Sequence, residues 1–263
     1  MIRRSIRILS APCLAALLAL ASVLPTAAQA SSPGRTAVVF IGGIGSQYLT
    51  TGESFGKLWG DLLWTNLGYQ PADVMVWSYD PAVTDYDASL TCQPIATNAA
   101  ALADTLRWLR DSQGYSGVVL VGHSMGGLIA IDVLDQGLGV QRFVKKIVTI
   151  DSPLLGVGNG RGLVGELWQF GSNCTAVTQL EQINQAFLAG SFRWPSRPTA
   201  PILSIANDAD NAVPFVSQTA NEQLGQHWDY SLTEGWGLSN HGATLHDSGI
   251  MAGLAQWIGP QGQ

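Results

Sequence analysis

The apolar positions of this chain fall into short continuous runs that alternate with longer periodic stretches. Short runs of β-branched and aliphatic residues are typical of strands that are buried on both faces of a sheet. They occupy residues 37–41, 74–77, 118–121, 147–150 and 202–206. Between them, apolar residues recur at the spacing of one helix face. The helical stretches cover residues 55–63, 99–109, 128–134, 178–188 and 247–258.

This alternation predicts the fold class. Strands that alternate with helices form a mostly parallel central sheet with helices on both faces, which is an α/β fold. Two segments interrupt the alternation: residues 80–94, rich in Asp, Thr and Pro, and residues 152–200, which we expect to be a lid-like insertion. Both begin where a predicted strand ends. Ligands of α/β folds bind at the carboxyl ends of the strands, so both segments are expected near a ligand site.

The first 30 residues have the pattern of a signal peptide. The first seven residues contain three arginines, and an apolar run follows over residues 14–24. Residues 28–30 then form the small-x-small sequence that signal peptidase accepts. A membrane anchor needs about 20 apolar residues, and this run is shorter. We therefore expect a signal peptide at 1–30 and one mature domain at 31–263, secreted to the extracellular or periplasmic space.

Charge and cysteine content narrow the partners and the compartment. The chain has 13 Lys and Arg against 19 Asp and Glu, and the signal peptide takes three of the basic residues. An acidic mature chain argues against nucleic acid and anionic membrane surfaces as partners. Cys92 and Cys174 are predicted to form a disulfide, because cysteines of exported proteins are usually paired; the alternative is two buried thiols.

The strongest chemical signal is Val-Val-Leu-Val-Gly-His-Ser-Met-Gly-Gly over residues 118–127. Here a predicted strand runs into a G-x-S-x-G sequence, and a predicted helix begins near Met125. A serine hydroxyl can attack a carbonyl carbon only when it projects clear of the backbone, which requires a sharp, strained turn at Ser124. Glycines at 122 and 126 remove side chains that would collide across that turn. The pattern predicts Ser124 as a nucleophile.

With these residues the chain resembles the α/β-hydrolase superfamily, and most closely its extracellular lipases and esterases. The resemblance rests on Gly-His-Ser-Met-Gly-Gly at 122–127 and on Thr-Ile-Asp-Ser-Pro-Leu-Leu-Gly at 149–156. It extends from Ala37 to the end of the chain. It implies the α/β-hydrolase fold and a Ser-His-Asp triad.

The first predicted strand ends in Val-Phe-Ile-Gly-Gly-Ile-Gly-Ser over residues 39–46. Members of the superfamily commonly have His-Gly here, and a following backbone N–H helps to bind the oxyanion. Gly42 occupies the place of that histidine, which removes a side chain that usually props the loop but leaves the backbone donor. By the resemblance, the oxyanion hole is formed by the N–H groups of Ile44 and Met125, with Gly43 as the alternative to Ile44.

The general base is expected to be a histidine, whose pKa allows it to take and return a proton near neutral pH. Of the four histidines, His123 lies within the turn beside Ser124 and His227 lies in a strand-like segment. His241 lies in a loop ahead of the last predicted helix, where the superfamily has its catalytic histidine. His246, at the edge of that helix, is the alternative and otherwise a capping or surface residue.

The acid that orients the histidine is expected after the strand at 202–206. Asp210 begins Asp-Asn-Ala-Val-Pro, which matches the D-x-x-V-P of the superfamily and keeps the chain order Ser, Asp, His. Asp208 and Asp151, the latter at the end of an earlier strand, are the alternatives. Two aspartates at this spacing do not form the oxygen-rich loop of a calcium site, and we expect no metal and no cofactor.

Together these residues predict a secreted carboxylic-ester hydrolase, a lipase or esterase that works through an acyl-enzyme. Four tryptophans near the predicted site loops favour apolar small-molecule or lipid esters, unless they pack the lid: Trp168, Trp194, Trp228 and Trp236. The alternatives are an acyltransferase with the same triad and a non-catalytic binding protein on a hydrolase fold. We expect a monomer without a stable membrane anchor.

Overall fold

A parallel sheet forms the centre of the molecule. The computed structural model describes residues 34–48, 66–80, 86–158, 174–192, 199–219, 226–233 and 240–262. In this part of the chain the strands are β1 Thr36–Ile41, β2 Val74–Val76, β3 Gly117–His123, β4 Val144–Ile150, β5 Ile202–Asn207 and β6 Gln226–Tyr230. All the apolar runs that were predicted as strands are therefore confirmed.

The strands pair in parallel in the order β2-β1-β3-β4-β5-β6. Ile41 is level with Gly122, and His123 is level with Ile150. The carboxyl ends of β1, β3 and β4 therefore meet at one edge of the sheet. The loops that leave these strands converge at that edge, where the sequence predicts the ligand site.

Helices lie on both faces of the sheet, as the alternation predicted. They are α1 Ile95–Asp111, α2 Met125–Asp135, α3 Thr175–Leu188, α4 Phe215–Gln218 and α5 Ser248–Ile258. Successive residues of a strand point to opposite faces, and the core is divided accordingly. Val39 and Leu120 pack with side chains of α1 and α2, whereas Val38 and Val121 pack with side chains of α5. The mostly parallel α/β fold is confirmed.

A disulfide joins two of the segments outside the sheet. Short 3-10 turns lie at Pro71–Asp73, Ala88–Cys92 and Ala243–His246. Cys92, which ends the second of these turns, is bonded to Cys174, which directly precedes α3. The predicted cysteine pairing is confirmed, and it ties the first interruption of the alternation to the second.

Some predictions fall on residues that the structure does not describe. The signal peptide 1–30, the helical stretch 55–63 and residues 159–173 and 193–198 of the proposed insertion lie outside the described residues. Trp168, Trp194 and Trp236 lie there as well. Within the described part of the insertion, α3 confirms the helical stretch that was predicted at 178–188.

Candidate active site

Ser124 lies at the tight turn between β3 and α2. Its φ of 53° and ψ of −131° fall in a region that residues with side chains avoid, at a cost of about 1–3 kcal/mol. A Cβ atom on Gly122 would overlap the backbone of Gly126, and one on Gly126 would overlap the carbonyl oxygen of Ile41. Close backbone contacts therefore require both glycines, and the turn has the strain that the G-x-S-x-G sequence predicted.

Strand β4 and helix α2 fix the backbone on either side of Ser124. The Ser124 N–H donates to the carbonyl oxygen of Ile150 at 2.8 Å, and the residue is only 3% exposed. Helix α2 begins at the next residue, Met125. The N–H groups in the first turn of a helix have no partner inside the helix and form the positive end of its dipole. The Met125 N–H is therefore a candidate donor to an anion at Ser124.

An imidazole and a carboxylate form a pair at the same end of the sheet. His241 Nδ1 lies 2.7 Å from Asp210 Oδ2, and the two side chains are 12% and 0% exposed. An ionised carboxylate only accepts hydrogen bonds, so Nδ1 holds the proton of this bond. In the neutral ring, Nε2 is then the nitrogen that can take up a second proton. The structure thus brings the predicted base and the predicted acid together.

Asp210 is held by the turn to which it belongs. Its Oδ1 accepts the N–H groups of Ala212 at 2.7 Å and Val213 at 3.1 Å. Its Oδ2 also accepts from Gln218 Nε2 at 3.1 Å. All these partners lie within eight residues of Asp210, after the end of β5. The D-x-x-V-P sequence therefore has a local explanation, because the aspartate closes the turn that presents it to His241.

His123 connects His241 to the turn at Ser124. Its Nε2 lies 3.0 Å from the carbonyl oxygen of His241, and the two ring centroids are 4.8 Å apart. Burial, and then the neighbouring His241, lower the pKa of His123 to about 3, so the ring is neutral at ordinary pH. A carbonyl only accepts, so Nε2 is the donor. Sequence reasoning gave His123 no role, because no pattern indicates a contact 118 residues along the chain.

The alternative acids occupy different surroundings. Asp208 is exposed to solvent. Asp151, at the end of β4, is fully buried and has a φ of 48°. Its Oδ1 accepts from Thr244 Oγ1 at 3.1 Å, in the 3-10 turn that follows His241. Burial raises the pKa of Asp151 to about 7, His241 lowers it and Asp210 raises it. Asp210 is the carboxylate that pairs with the imidazole.

The alternative histidine lies at the start of the last helix. His246 ends the 3-10 turn Ala243–His246. The next residue, Asp247, caps α5 by accepting the N–H of Ile250 at 2.8 Å. The capping role that was one expectation for His246 therefore belongs to Asp247. His227 is part of β6, as its sequence pattern predicted.

The loop after β1 lies over Ser124. A Cβ atom on Gly43 would be 2.5 Å from Ser124 Cβ and 2.9 Å from Oγ, so this position has to be glycine. The N–H of Gly45 donates to Thr91 Oγ1 at 2.9 Å, and the N–H of Ser46 donates to the Gly43 carbonyl at 3.3 Å. The N–H groups of Gly43 and Ile44, which the sequence analysis named as alternatives, remain the candidate oxyanion donors of this loop.

Trp228, one of the tryptophans expected near the site, is a packing residue. It belongs to β6 and packs with the core on the α5 side of the sheet. Its ring would lie 3.5 Å from a Cβ atom on Gly253, in the middle of α5. Contact with α5 accounts for its position, so Trp228 gives no support to an apolar wall at the substrate site.

Neither a metal site nor a membrane span is present in the described part of the chain. No group of three or more His, Cys, Asp or Glu side chains is arranged there to hold a metal ion. None of the described helices has the length and apolar character needed to cross a bilayer.

Comparison with known proteins gives consistent matches. The chain matches the family model described as "Alpha/beta hydrolase family" over residues 38–249. A Bacillus licheniformis lipase, BlEst2 in mature form, has a similar structure, with 16% identity and a TM-score of 0.58 over 88% of this chain and 92% of that chain. Aspergillus fumigatus lipase B is also similar, with 16% identity and a TM-score of 0.57 over 90% of this chain and 56% of that chain.

A third solved structure, the Pyrococcus furiosus esterase Pf2001, has 16% identity and a TM-score of 0.52 over 86% of this chain and 83% of that chain. At such identities the likeness concerns the fold alone. No curated protein matches the chain significantly in sequence.

Proposed function

Because the chain belongs to the alpha/beta hydrolase family, we propose that it is a secreted serine hydrolase of carboxylic esters, an esterase or lipase. In this proposal Ser124 is the nucleophile, His241 the general base and Asp210 the acid that orients it. One observation supports it most strongly. A strained serine at a strand-to-helix turn shares an edge of the sheet with a buried Asp210–His241 pair.

The first half of the reaction acylates Ser124. His241 Nε2 takes the hydroxyl proton as Oγ attacks the carbonyl carbon of the ester. The resulting oxyanion is stabilised by the backbone N–H groups of Met125 and of Ile44, or of Gly43 in its place. Asp210 holds the imidazole in the required tautomer and stabilises its charged form. The C–O bond then breaks, and the alcohol leaves with the proton that His241 returns.

The second half releases the acid. Water gives a proton to His241 Nε2 as its oxygen attacks the acyl carbon, and a second tetrahedral oxyanion forms in the same place. Collapse of this intermediate breaks the bond to Ser124 Oγ, which recovers its proton from His241. An alcohol in place of water would give acyl transfer, so the two activities share every protein group.

The proposal that the protein is secreted rests on two features. Residues 1–30 have the sequence pattern of a signal peptide. The disulfide between Cys92 and Cys174 is compatible with an oxidising compartment outside the cytosol. For the substrate we propose small-molecule or lipid esters.

Hydrolysis of a chromogenic ester series, from acetate to palmitate, tests the proposal. Ser124→Ala should fold normally and lose hydrolysis by a factor on the order of 10⁵–10⁶, because the triad acts as a unit. A serine-directed phosphonate should label the wild type at Ser124 and should not label the variant.

Ser204→Ala is a matched control. Ser204 is fully buried in β5, which β4 separates from β3, and its Oγ lies 2.7 Å from Thr149 Oγ1. This variant should keep both hydrolysis and labelling. Full ester hydrolysis by Ser124→Ala, or labelling at another serine, would overturn the assignment. Adding an alcohol to the assay distinguishes hydrolysis from acyl transfer. A predominantly transesterified product would identify an acyltransferase.

A further inference from the structure

The loop over Ser124 has few side chains with which to fix itself. Residues 42, 43 and 45 are glycines, and glycine has the widest backbone freedom of all residues. Gly45 adopts a φ of 75°, which other residues rarely adopt. Nevertheless Gly43 lies in direct contact with Ser124. A shift of about 1 Å would misplace an oxyanion donor and cost up to about 10²-fold in rate. The loop therefore needs support from other segments.

One support is the hydroxyl group of Tyr79, three residues after β2. It donates to the carbonyl oxygen of Gly42 at 2.6 Å. The Tyr79 ring is 4% exposed, and its centroid lies 4.5 Å from that of Trp77 and 5.0 Å from that of Tyr86. Burial, and then Tyr86, raise the pKa of Tyr79 well above its usual value. The phenol therefore stays protonated and acts as a rigid donor to the first peptide of the loop.

A second support is the hydroxyl group of Thr91, at the other end of the loop. Its Oγ1 accepts the N–H of Gly45 at 2.9 Å and donates to the carbonyl oxygen of Ala88 at 2.6 Å. Thr91 is fully buried, in the 3-10 turn that ends at the disulfide-bonded Cys92. This contact joins the loop to a turn that is itself anchored covalently.

We propose that Tyr79 and Thr91 are positioning residues of the oxyanion loop. Their hydroxyls hold the residues on either side of the Gly43–Ile44 pair, and so aim its N–H groups at the oxyanion on Ser124. Neither side chain has to touch substrate. The inference rests on the proposed function, because it assigns the supports of the oxyanion hole that this reaction needs.

Single substitutions that remove only the hydroxyl test the inference. Tyr79→Phe leaves the Gly42 carbonyl without its donor, and Thr91→Val leaves the Gly45 N–H without its acceptor. Each should lower kcat for ester hydrolysis by about tenfold to a hundredfold, since loss of a whole oxyanion donor costs about 10²–10³. KM should stay within about twofold, because the hole acts in the transition state. Thr91→Ser, which retains the hydroxyl, should restore kcat.

The matched control is Tyr115→Phe. Tyr115 is also a buried tyrosine whose hydroxyl donates to a backbone carbonyl, that of Ala72, at 2.6 Å. It lies just before β3 begins, at the opposite edge of the sheet from Ser124. Tyr115→Phe should lose stability comparable to that lost by Tyr79→Phe, but its kcat should equal that of the wild type. Equal kcat for Tyr79→Phe and Tyr115→Phe at matched folded fraction would overturn the inference.

Two further measurements separate this inference from the proposed function. A trifluoromethyl ketone, which forms a tetrahedral adduct with a catalytic serine, should bind each loop variant more weakly by the factor lost in kcat/KM. Amide hydrogen exchange of residues 42–46 should become faster in Tyr79→Phe and Thr91→Val and stay unchanged in Tyr115→Phe. Unchanged exchange in the loop variants would refute the support even if Ser124→Ala is inactive. Ester hydrolysis by Ser124→Ala would refute the proposed function whatever the exchange rates are.

Discussion

We propose one loop for the triad acid, residues 207–213, and one for the oxyanion hole, residues 42–46. This acid loop and this oxyanion loop are held by different sets of contacts. The acid loop is held by bonds within itself and by bonds to residues that follow it in the chain. Asn207 Oδ1 accepts the N–H of Leu232 at 2.8 Å, and Asn240 Nδ2 donates to the carbonyl oxygen of Ala209 at 2.9 Å. Asp210 accepts the N–H groups of Ala212 and Val213, and Asn207 Oδ1 accepts the N–H of Ala209 at 3.2 Å. The oxyanion loop also has an internal bond, from Ser46 Oγ to the Gly43 carbonyl at 2.6 Å. Its ends, however, are held by Tyr79 and Thr91.

This difference separates two kinds of robustness. The partners of the acid loop at 218, 232 and 240 lie outside the two segments that the disulfide joins, so a change at the disulfide leaves these bonds in place. A loop held by remote hydroxyls depends on the packing of every segment that supplies them. We therefore expect damage near the disulfide to affect oxyanion stabilisation before it affects the Asp210–His241 pair.

The largest expected effect comes from a change inside the acid loop. Asp210→Asn should preserve the fold and lower kcat by a factor on the order of 10⁴, because an amide favours the wrong tautomer of His241. Asp208→Asn is the neighbouring control and should cost about tenfold or less. Both should be compared at matched folded fraction by circular dichroism. If Asp208→Asn or Asp151→Asn proves the crippling change instead, the assignment of Asp210 is wrong.

The next effect comes from the covalent anchor of the oxyanion loop. The double variant Cys92→Ser, Cys174→Ser opens a loop with a sequence separation of 82 residues. In the chain-entropy account this costs about 4–5 kcal/mol of unfolding free energy, measurable by urea denaturation. Where the variant is still folded, its kcat should fall because Thr91 loses its anchored neighbour. The titration of His241, followed by NMR, should stay unchanged because the partners of the acid loop at 218, 232 and 240 lie outside the bridged segments.

Two outcomes would contradict that prediction. Free thiols in denatured, unreduced wild-type protein would show that no bridge supports the loop. A shifted His241 titration with unchanged kcat would reverse the proposed order of sensitivity between the two loops.

The smallest effect concerns Asp151, which lies behind the Asp210–His241 pair. Its pKa rises from 3.8 to about 7 on folding, chiefly through burial. Between these values the folded state keeps a proton that the unfolded state releases. Asp151 therefore makes its full contribution to the free energy of unfolding below about pH 4. This contribution falls as the pH rises to about 7, by at most about 1.4 kcal/mol per pH unit.

Asp151→Asn tests this by urea unfolding at several pH values. The variant cannot ionise, so wild type should lose stability relative to it from pH 4 to pH 7 and keep a constant difference above that. Asp208→Asn, at an exposed position, is the control and should show no such trend. A wild type that gains stability over Asp151→Asn across this range would show that the buried carboxyl is ionised on folding.

Features that depend on contacts between near neighbours in the chain were predicted from the sequence, and features that depend on contacts between distant segments were not. The fold class, the strands and the longer described helices were predicted, because hydrophobic periodicity is a local signal; the short helix Phe215–Gln218 was not predicted. The strained turn at Ser124 and the contact between Asp210 and His241 agree with short motifs, whose residues are fixed by neighbours in the chain. Their catalytic roles stay predictions.

The supports of the oxyanion loop were not predicted, for a physical reason. Tyr79 contacts a residue 37 positions away, and Thr91 one that is 46 positions away. Contacts of this kind depend on how separate segments pack, and no periodicity or spacing indicates them. The buried position of Asp151 and the packing of Trp228 against α5 were missed in the same way. The sequence showed that position 42 is glycine where the superfamily commonly has histidine. It did not show that Tyr79 and Thr91 support the loop in place of that histidine.

The order of the elements along the chain has a consequence for when the protein becomes reactive. Ser124 is made early, whereas Asp210 and His241 follow β5 and β6, and His241 leads into α5, which covers the second face of the sheet. The proposed imidazole base therefore belongs to the segment that leads directly into the last helix. On the proposed function, a chain that is exported before it folds would have an ordinary serine at 124. It would be harmless to esters inside the cell until the last helix is in place.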